Sequence, residues 1–406
     1  TSSLTRTAPI HSEKKYKNGG EVMEKTVRMM MDLIASEACG KEIDPKEYAL
    51  SDEELKDLYR LSKFHDLAHL VGNALIKKDL IRNAEIRQRF EKQVMTAVYR
   101  YERTNYELQR LCDTLNEAKI PFIPLKGSVI RNCYPEPWMR TSCDIDILVR
   151  EQDIDTAAQA IGEKLGYRYE SRNYHDISLK SESGVHLELH FSLKENEENI
   201  DGLLSDCWQY AFVHRAYEYS FTPEFFLFHQ FAHASYHFLH GGCGVRIFLD
   251  IRILERLMPC DRAKLDGFLE KCGILKFAHE VEHLANIWFG TAEYTEISRQ
   301  MERYLLSGGV YGTTGNRVAV QQAQKGGKMR YALSRIWLPY SSLKNFYPSL
   351  ESKAVLLPFY EMRRWGRFLI GGKAKRGLEE LKLNAGTTGE GQSQIMSMLE
   401  KLELRP

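Results

Sequence analysis

The sequence predicts an α+β fold, a small mixed β-sheet embedded between mainly α-helical N- and C-terminal regions. Three observations point to it. Apolar residues recur at three- and four-residue spacing from Glu21 to Glu117 and again after Asn199, the period of helices with one buried face. Between these stretches, DIDILV (Asp144 to Val149) and VHLELHF (Val185 to Phe191) alternate polar and apolar residues, as half-buried strands do. The length of 406 residues, with 43% hydrophobic and 27% charged residues, suits two or three packed globular units.

The elements follow in order. Residues 1–20 are polar and lack the apolar stretch of a signal peptide, so they read as a disordered tail. Residues 21–117 form a helical region. Within it, Ser51 and Glu54 have the spacing of a capping box, and Ala84 to Asn116 reads as one long helix or two in line. Residues 118–196 form the α/β core. Its first strand is PFIPL (Pro121 to Leu125), closed by Lys126-Gly127-Ser128 and a short helix, Val129 to Cys133. DIDILV is the second strand. A helix from Ile154 to Leu165 follows, with Gly166 as its C-terminal cap. Tyr174 to Lys180 and Val185 to Leu193 are two further strands, turned by Ser183-Gly184. Residues 197–306 return to helices, at Pro223 to Leu239, Val245 to Leu257, Arg262 to Phe289 and Glu296 to Leu306. Residues 307–316 read as a glycine-rich linker, and 317–406 as a C-terminal helical region with a polar tail.

The formal net charge of +1 gives no global attraction to nucleic acid or a membrane surface. The eight cysteines are scattered without a CxxC pair, which fits reduced thiols in a cytoplasmic protein. No run of eighteen apolar residues suggests a transmembrane helix.

The chemistry concentrates in the core. Asp144 and Asp146, two apart on a strand, point to one face with their Cα atoms roughly 6 to 7 Å apart. Close carboxylates repel, so a strand that keeps both on one face invites a cation, and hard oxygen donors suit Mg²⁺. A pair of ions about 3.5 to 4 Å apart is able to hold both oxygens of an in-line phosphoryl displacement. Glu188 shares one face of its strand with His186 and His190. It offers a third metal ligand or a base for an acceptor hydroxyl. Gly127 and Ser128 end one strand and open a helix, where backbone N–H groups, close approach at glycine and a hydroxyl donor receive phosphate.

Together, LKGSVIRNCYPEPWMRTSCDIDILV and VHLELHFSL resemble the nucleotidyltransferase superfamily. Its pattern is Gly with Gly or Ser, a spacer, Asp-x-Asp and a later carboxylate. LKG, YP, Arg140, DIDILV and ELH look most like its poorly characterised bacterial branch. With LHGGCGVRIFLDIRIL and FYPSL, the resemblance spans about Leu61 to Phe368. The fifteen-residue spacer from Ser128 to Asp144 is longer than the usual form. The resemblance implies an enzyme that transfers a nucleoside monophosphate from an NTP to a hydroxyl or phosphate acceptor: a protein, metabolite, sugar or RNA end. Gly127 and Ser128 would hold the triphosphate, Asp144 and Asp146 would bind Mg²⁺, and Glu188 would bind metal or act as base. Lys126 and Arg140 would offset phosphate charge or serve as structural ion-pair partners.

Other signals carry less. His229, His233 and His237 lie four apart on one helical stripe. The outer two are about 12 Å apart, too far for one zinc ion, so the stripe is expected to pack against the catalytic unit. His65-Asp66 lacks the partner motifs of a metal phosphohydrolase. The basic run Arg363 to Arg376, with Trp365 and Phe368, is open to an anionic acceptor, RNA, a membrane surface or plain solvation. Two other function classes remain open, a silent nucleotide-binding or assembly module and a metal-dependent phosphohydrolase.

Overall fold

The structure is a computed structural model. It describes residues 20–48, 50–195, 197–309, 312–338, 340, 343, 347, 354–370, 383–384 and 389–404. Most of the polar N-terminal stretch and Lys373, Lys375 and Arg376 of the basic run lie outside the described residues.

Three helices lead in: α1 (Gly20–Ala38), α2 (Asp52–Phe64) and α3 (Ala68–Lys77). The capping box at Ser51 and Glu54 is formed and fixes the start of α2. The next helix, α4 (Ala84–Glu117), is one continuous element of 34 residues, about 50 Å long at 1.5 Å per residue. Its first half buries Ile86 and Phe90 among the N-terminal helices, and its second half buries Leu111 and Leu115 beneath the sheet. α3 lies so close to α4 that a Cβ on Gly72 would come 2.9 Å from Phe90.

The strands are β1 (Phe122–Pro124), β2 (Asp144–Val149), β3 (Arg168–Arg172), β4 (Asp176–Lys180), β5 (His186–His190), β6 (Ala211–Arg215) and β7 (Glu218–Phe221). They form one sheet in the order β3-β4-β5-β2-β1-β7-β6. The central strand β2 runs antiparallel to β1 and parallel to β5. The connection from β2 passes through α6 (Ile154–Leu165), while α5 (Gly127–Ile130) lies between β1 and β2. Gly166, at φ 71°, caps α6 in the left-handed conformation its sequence predicts.

The sheet is wider than the sequence suggests. The β6–β7 hairpin falls in a stretch read as helical, and β3 was not anticipated. Both lie at sheet edges. β3 exposes most of its residues and β6 exposes Phe212 and Val213, so neither shows clean alternation. The stretch read as one helix from Arg262 to Phe289 is two, α10 (Arg262–Lys271) and α11 (Leu275–Phe289), broken where Gly273 takes φ 67°.

Period two separates two cores across the sheet. Ile145, Ile147, Val149, Leu187 and Leu189 pack with Leu111, Leu115, Ala157 and Ile161 on one face. On the other face, Ile123, Leu125 and Leu148 join a larger core. That core runs through α8 (Pro223–Leu239), α9 (Val245–Leu257) and α11, and continues into the N-terminal helices. In α8 the rings of Phe225, Phe228, Phe231 and Phe238 are fully buried. Burial of this kind contributes about 1.5–3 kcal/mol per large side chain. The short α7 (Glu198–Ser205) precedes β6, and α12 (Glu296–Leu306), α13 (Thr314–Gln324), α14 (Lys328–Ile336), α15 (Leu357–Ile370) and α16 (Gly389–Lys401) complete the described helices. None of the described helices is long and apolar enough to cross a membrane.

The shared core makes a direct prediction. A fragment spanning Ala118 to Asn196 contains β1 without β7 and β2 without α4 or α8. It is expected to aggregate and to show no cooperative unfolding transition by circular dichroism. A soluble fragment with a sharp transition contradicts the interdependence of sheet and helices.

Candidate active site

β2 and β5 place their polar residues by register. Asp146 stands directly beside Glu188, and Asp144 beside His186, on the sheet face that looks toward the helical core. Period two then brings His190 to the same face. Its Nε2 lies 3.1 Å from Asp146 Oδ1 and 3.5 Å from Glu188 Oε2. Ligand atoms of Asp146, Glu188 and His190 all fall within 4.8 Å of one another, the one such cluster among the described residues. Asp144 lies further along the strand and is not part of that triad. Its Coulombic coupling to Asp146 and Glu188 nevertheless marks it as a neighbour of the cluster.

The Lys126 turn supplies the opposing charge. The backbone N–H of Leu125 donates to the Asp146 carbonyl at 3.0 Å, and the N–H of Ser128 donates to the Leu125 carbonyl at 3.1 Å. Lys126, between them, takes φ 43° and ψ −119°, a conformation that normally requires glycine. Such backbone strain costs on the order of 1–3 kcal/mol and clusters at functional sites. Here it accompanies a Lys126 Nζ positioned 3.3 Å from Asp146 Oδ1. Sequence alone gives no sign of the strain, because Lys126 occupies what is normally a glycine position.

The rest of the loop is tightly held. A Cβ on Gly127 would come 2.8 Å from Arg140 Nη1, so glycine is needed for this contact. Arg131, 1% exposed, donates from Nε to the Gly127 carbonyl and from Nη2 to Ser142 Oγ. The Ser128 N–H is spent on the turn, but the buried Ser128 hydroxyl has no hydrogen-bond partner. A buried, orphaned hydroxyl beside Lys126 is available to a ligand oxygen.

Arg140 points elsewhere. Its guanidinium forks onto Asp250 of α9, with Nε 3.1 Å and Nη2 2.9 Å from Oδ2. Tyr134 Oη donates to the same carboxylate at 2.7 Å. One turn earlier on α9, Arg246 donates to the Thr141 carbonyl at 2.9 Å and to Asp66 Oδ2 at 2.5 Å. Both ion pairs therefore clamp the segment leading into β2. Asp66 of the His65-Asp66 pair is committed to this clamp, and His65 is buried in the interior.

The ionisation pattern follows from burial and these neighbours. Burial would raise Asp146, but Lys126 and His190 outweigh it and hold this carboxyl well below the usual range. Asp144 moves the opposite way, pushed up by burial and then by Asp146 and Glu188. Burial would lower His190, but hydrogen bonds to Asp146 and Glu188 carry it up to about 9. Burial likewise opposes the Lys126 ammonium, yet Asp146, Glu188, Glu195 and Asp144 together hold it above the ordinary lysine range.

Across from this acidic wall stands α8. His229, His233 and His237 are lowered to about 3, first by burial; Lys126 acts on all three rings. The stripe expected to pack against the catalytic unit thus faces it as a row of neutral imidazoles. His190 and Glu195 join the site without having been selected from the sequence as site residues. For His190 the signal was present in HLELH, where it shares parity with Glu188. For Glu195, in a loop, there was none.

The donor set suits a hard divalent cation. Asp146, Glu188 and Asp144 supply carboxylate oxygens, and His190 supplies a nitrogen once its proton leaves. The sequence profile of one family, described as an uncharacterised nucleotidyltransferase, matches residues 51–290. That span covers the core, the Arg140–Asp250 clamp and α8. No curated protein and no solved structure matches the chain.

Two predictions follow from the geometry. Because the folded His190 is raised, it favours the folded state fully below about 6.5, and that contribution is lost as pH rises through about 9. Urea unfolding of metal-free protein should therefore show a decline across that window, and His190→Gln should lack this component. Equal slopes in both proteins contradict the assignment. Gly127→Ala should cost about 1–3 kcal/mol, because the new methyl group displaces Arg140 from its fork. An unchanged melting temperature would show that the loop yields freely.

Proposed function

The chain belongs to the uncharacterised nucleotidyltransferase family, and on that basis we propose that it transfers a nucleoside monophosphate from an NTP to a hydroxyl or phosphate acceptor, with Mg²⁺. The observation that carries this reading is the register pairing of Asp146 with Glu188, which with His190 assembles one cluster of potential metal ligands.

In this reading Asp144, Asp146 and Glu188 would hold the cations, a donor set of the kind that two-ion phosphoryl-transfer sites use. Bound Mg²⁺ supplies charge neutralisation and orientation at the α-phosphate. The chain's own residues do the rest. Asp146 arrives already ionised because Lys126 and His190 stabilise its charge. With the carboxylate charge neutralised, Lys126 would be free to turn from Asp146 to the triphosphate. Gly127 lets the phosphates approach the backbone, and the unpartnered Ser128 hydroxyl donates to a phosphate oxygen. Arg140 adds positive charge behind Gly127 while its fork stays on Asp250. Its role is thus support for the loop rather than a free clamp on phosphate.

Incubation with each α-labelled NTP, Mg²⁺ and a cell extract tests the reaction class. Label transferred to an acceptor supports it; binding without transfer indicates a nucleotide sensor, and release of free phosphate a hydrolase. Asp144→Asn together with Asp146→Asn should weaken Mg²⁺-dependent nucleotide binding by about 100-fold or more, the loss expected for several kcal/mol of metal-mediated interaction. Calorimetry giving unchanged affinity in a folded double mutant removes the carboxylates from the site.

A further inference from the structure

The acceptor hydroxyl must lose a proton, and the groups nearest the cation site are ill placed to take it. Glu188 is held beside Asp146 with His190 at 3.5 Å. His190 lies between the two carboxylates, 3.1 Å from Asp146 Oδ1, and with a cation bound its nitrogen would be a metal ligand rather than a base.

A second polar chain lies opposite. His233 Nδ1 is 2.9 Å from Glu195 Oε1, and His233 Nε2 is 3.1 Å from His237 Nε2. A carboxylate only accepts, so the neutral His233 ring carries its proton on Nδ1 and leaves a lone pair on Nε2. The facing nitrogen of His237 must then be the donor. That fixes the second tautomer as well, and leaves His237 Nδ1 as an unprotonated lone pair. Among the described residues no hydrogen bond reaches that nitrogen, and His237 is only half-buried. The direction of the chain is therefore set by Glu195, from His237 through His233 to the carboxylate. Lys126, Asp146 and His190 lie within electrostatic reach of His233, and Lys126 within reach of His237.

We propose that His237 Nδ1 accepts the proton of the acceptor hydroxyl and that His233 and Glu195 carry that charge away, an inference resting on the nucleotidyltransferase reading above. In the step, the acceptor oxygen forms a bond to the α-phosphorus. The bond from the α-phosphorus to its bridging oxygen breaks, and that electron pair leaves with pyrophosphate. The hydroxyl proton bonds to His237 Nδ1 as the Nε2 proton of His237 passes to His233 Nε2. The Nδ1 proton of His233 then passes to Glu195. His237 is the catalytic residue of this relay; His233 and Glu195 are positioning residues that hold its tautomer.

The test combines transfer from α-labelled NTPs in cell extract with calorimetry of Mg²⁺ and a non-hydrolysable triphosphate. Glu195→Gln and His237→Ala should bind the nucleotide as the parent does and transfer label about 100-fold more slowly, or worse, the usual loss for a general base. Added imidazole should restore transfer to His237→Ala but not to Glu195→Gln, and Glu195→Asp should retain more activity than Glu195→Gln. A merely structural role predicts no such rescue. Undiminished transfer in His237→Ala, loss of nucleotide binding along with transfer, or a loss that imidazole leaves untouched overturns the relay alone. A wild-type protein that transfers no label from any NTP overturns the nucleotidyltransferase reading, and the relay with it.

Discussion

Asp146 is an ionised carboxylate at a position only 6% exposed, and the local structure is arranged around keeping it so. An isolated charge at such a site would neutralise itself. Two cations prevent this, from opposite directions in the chain. Lys126 arrives from a backbone turn strained to bring it there, and His190 arrives by parity along β5. The parallel pairing of β2 with β5 adds Glu188, and burial with like charge then raises Asp144 above the usual carboxylate range. On the proposed reading, a divalent cation held here would relieve the repulsion among the carboxylates, leave the Lys126 ammonium available to phosphate and displace the His190 proton, so that metal and nucleotide binding would be coupled.

The second constraint is mechanical. The segment from Gly127 to Cys143 sets Ile130, Tyr134 and Met139 into the larger core, and side chains from a distant helix hold its polar groups. Asp250 receives Arg140 and Tyr134, while Arg246 reaches Thr141 and Asp66. Buried pairs of this sort contribute little net stability, since desolvation offsets most of the attraction, but loss of one partner strands a charge. Their value here is geometric. They fix α9 and the entry to β2 relative to each other, and α8, continuous with α9 through a tight Gly241-Gly242 turn, is thereby held opposite the carboxylates. The long spacer between Ser128 and Asp144 is explained by this clamp, because it supplies Tyr134, Arg140 and Thr141.

What the sequence made legible is what local periodicity encodes. DIDILV and VHLELHF announced two strands with polar faces, and Gly127-Ser128 announced a turn before them. The mixed α+β architecture followed from the change of period. Nothing local encodes the pairing of those strands, which decides that Asp146 rather than Asp144 stands beside Glu188. Nor does it encode the partner of Arg140, 110 residues away. The β6–β7 hairpin escaped because an edge strand with solvent on both sides has no alternation to read. The backbone strain at Lys126, a residue the sequence does select, escaped for a different reason. It is visible only as a dihedral angle, and a lysine there gives the opposite cue from the glycine that the conformation prefers.

The central claim is that the Asp146-centred cluster is a cation site shared with a nucleotide triphosphate. Crystals grown with Mn²⁺ and a non-hydrolysable NTP test it directly, because anomalous scattering locates the ion without reference to activity. The expected peak is coordinated by oxygens of Asp146 and Glu188, with Lys126 Nζ moved from Asp146 onto the phosphates. Nucleotide bound with its ion remote from both carboxylates, and Lys126 still paired with Asp146, would contradict it.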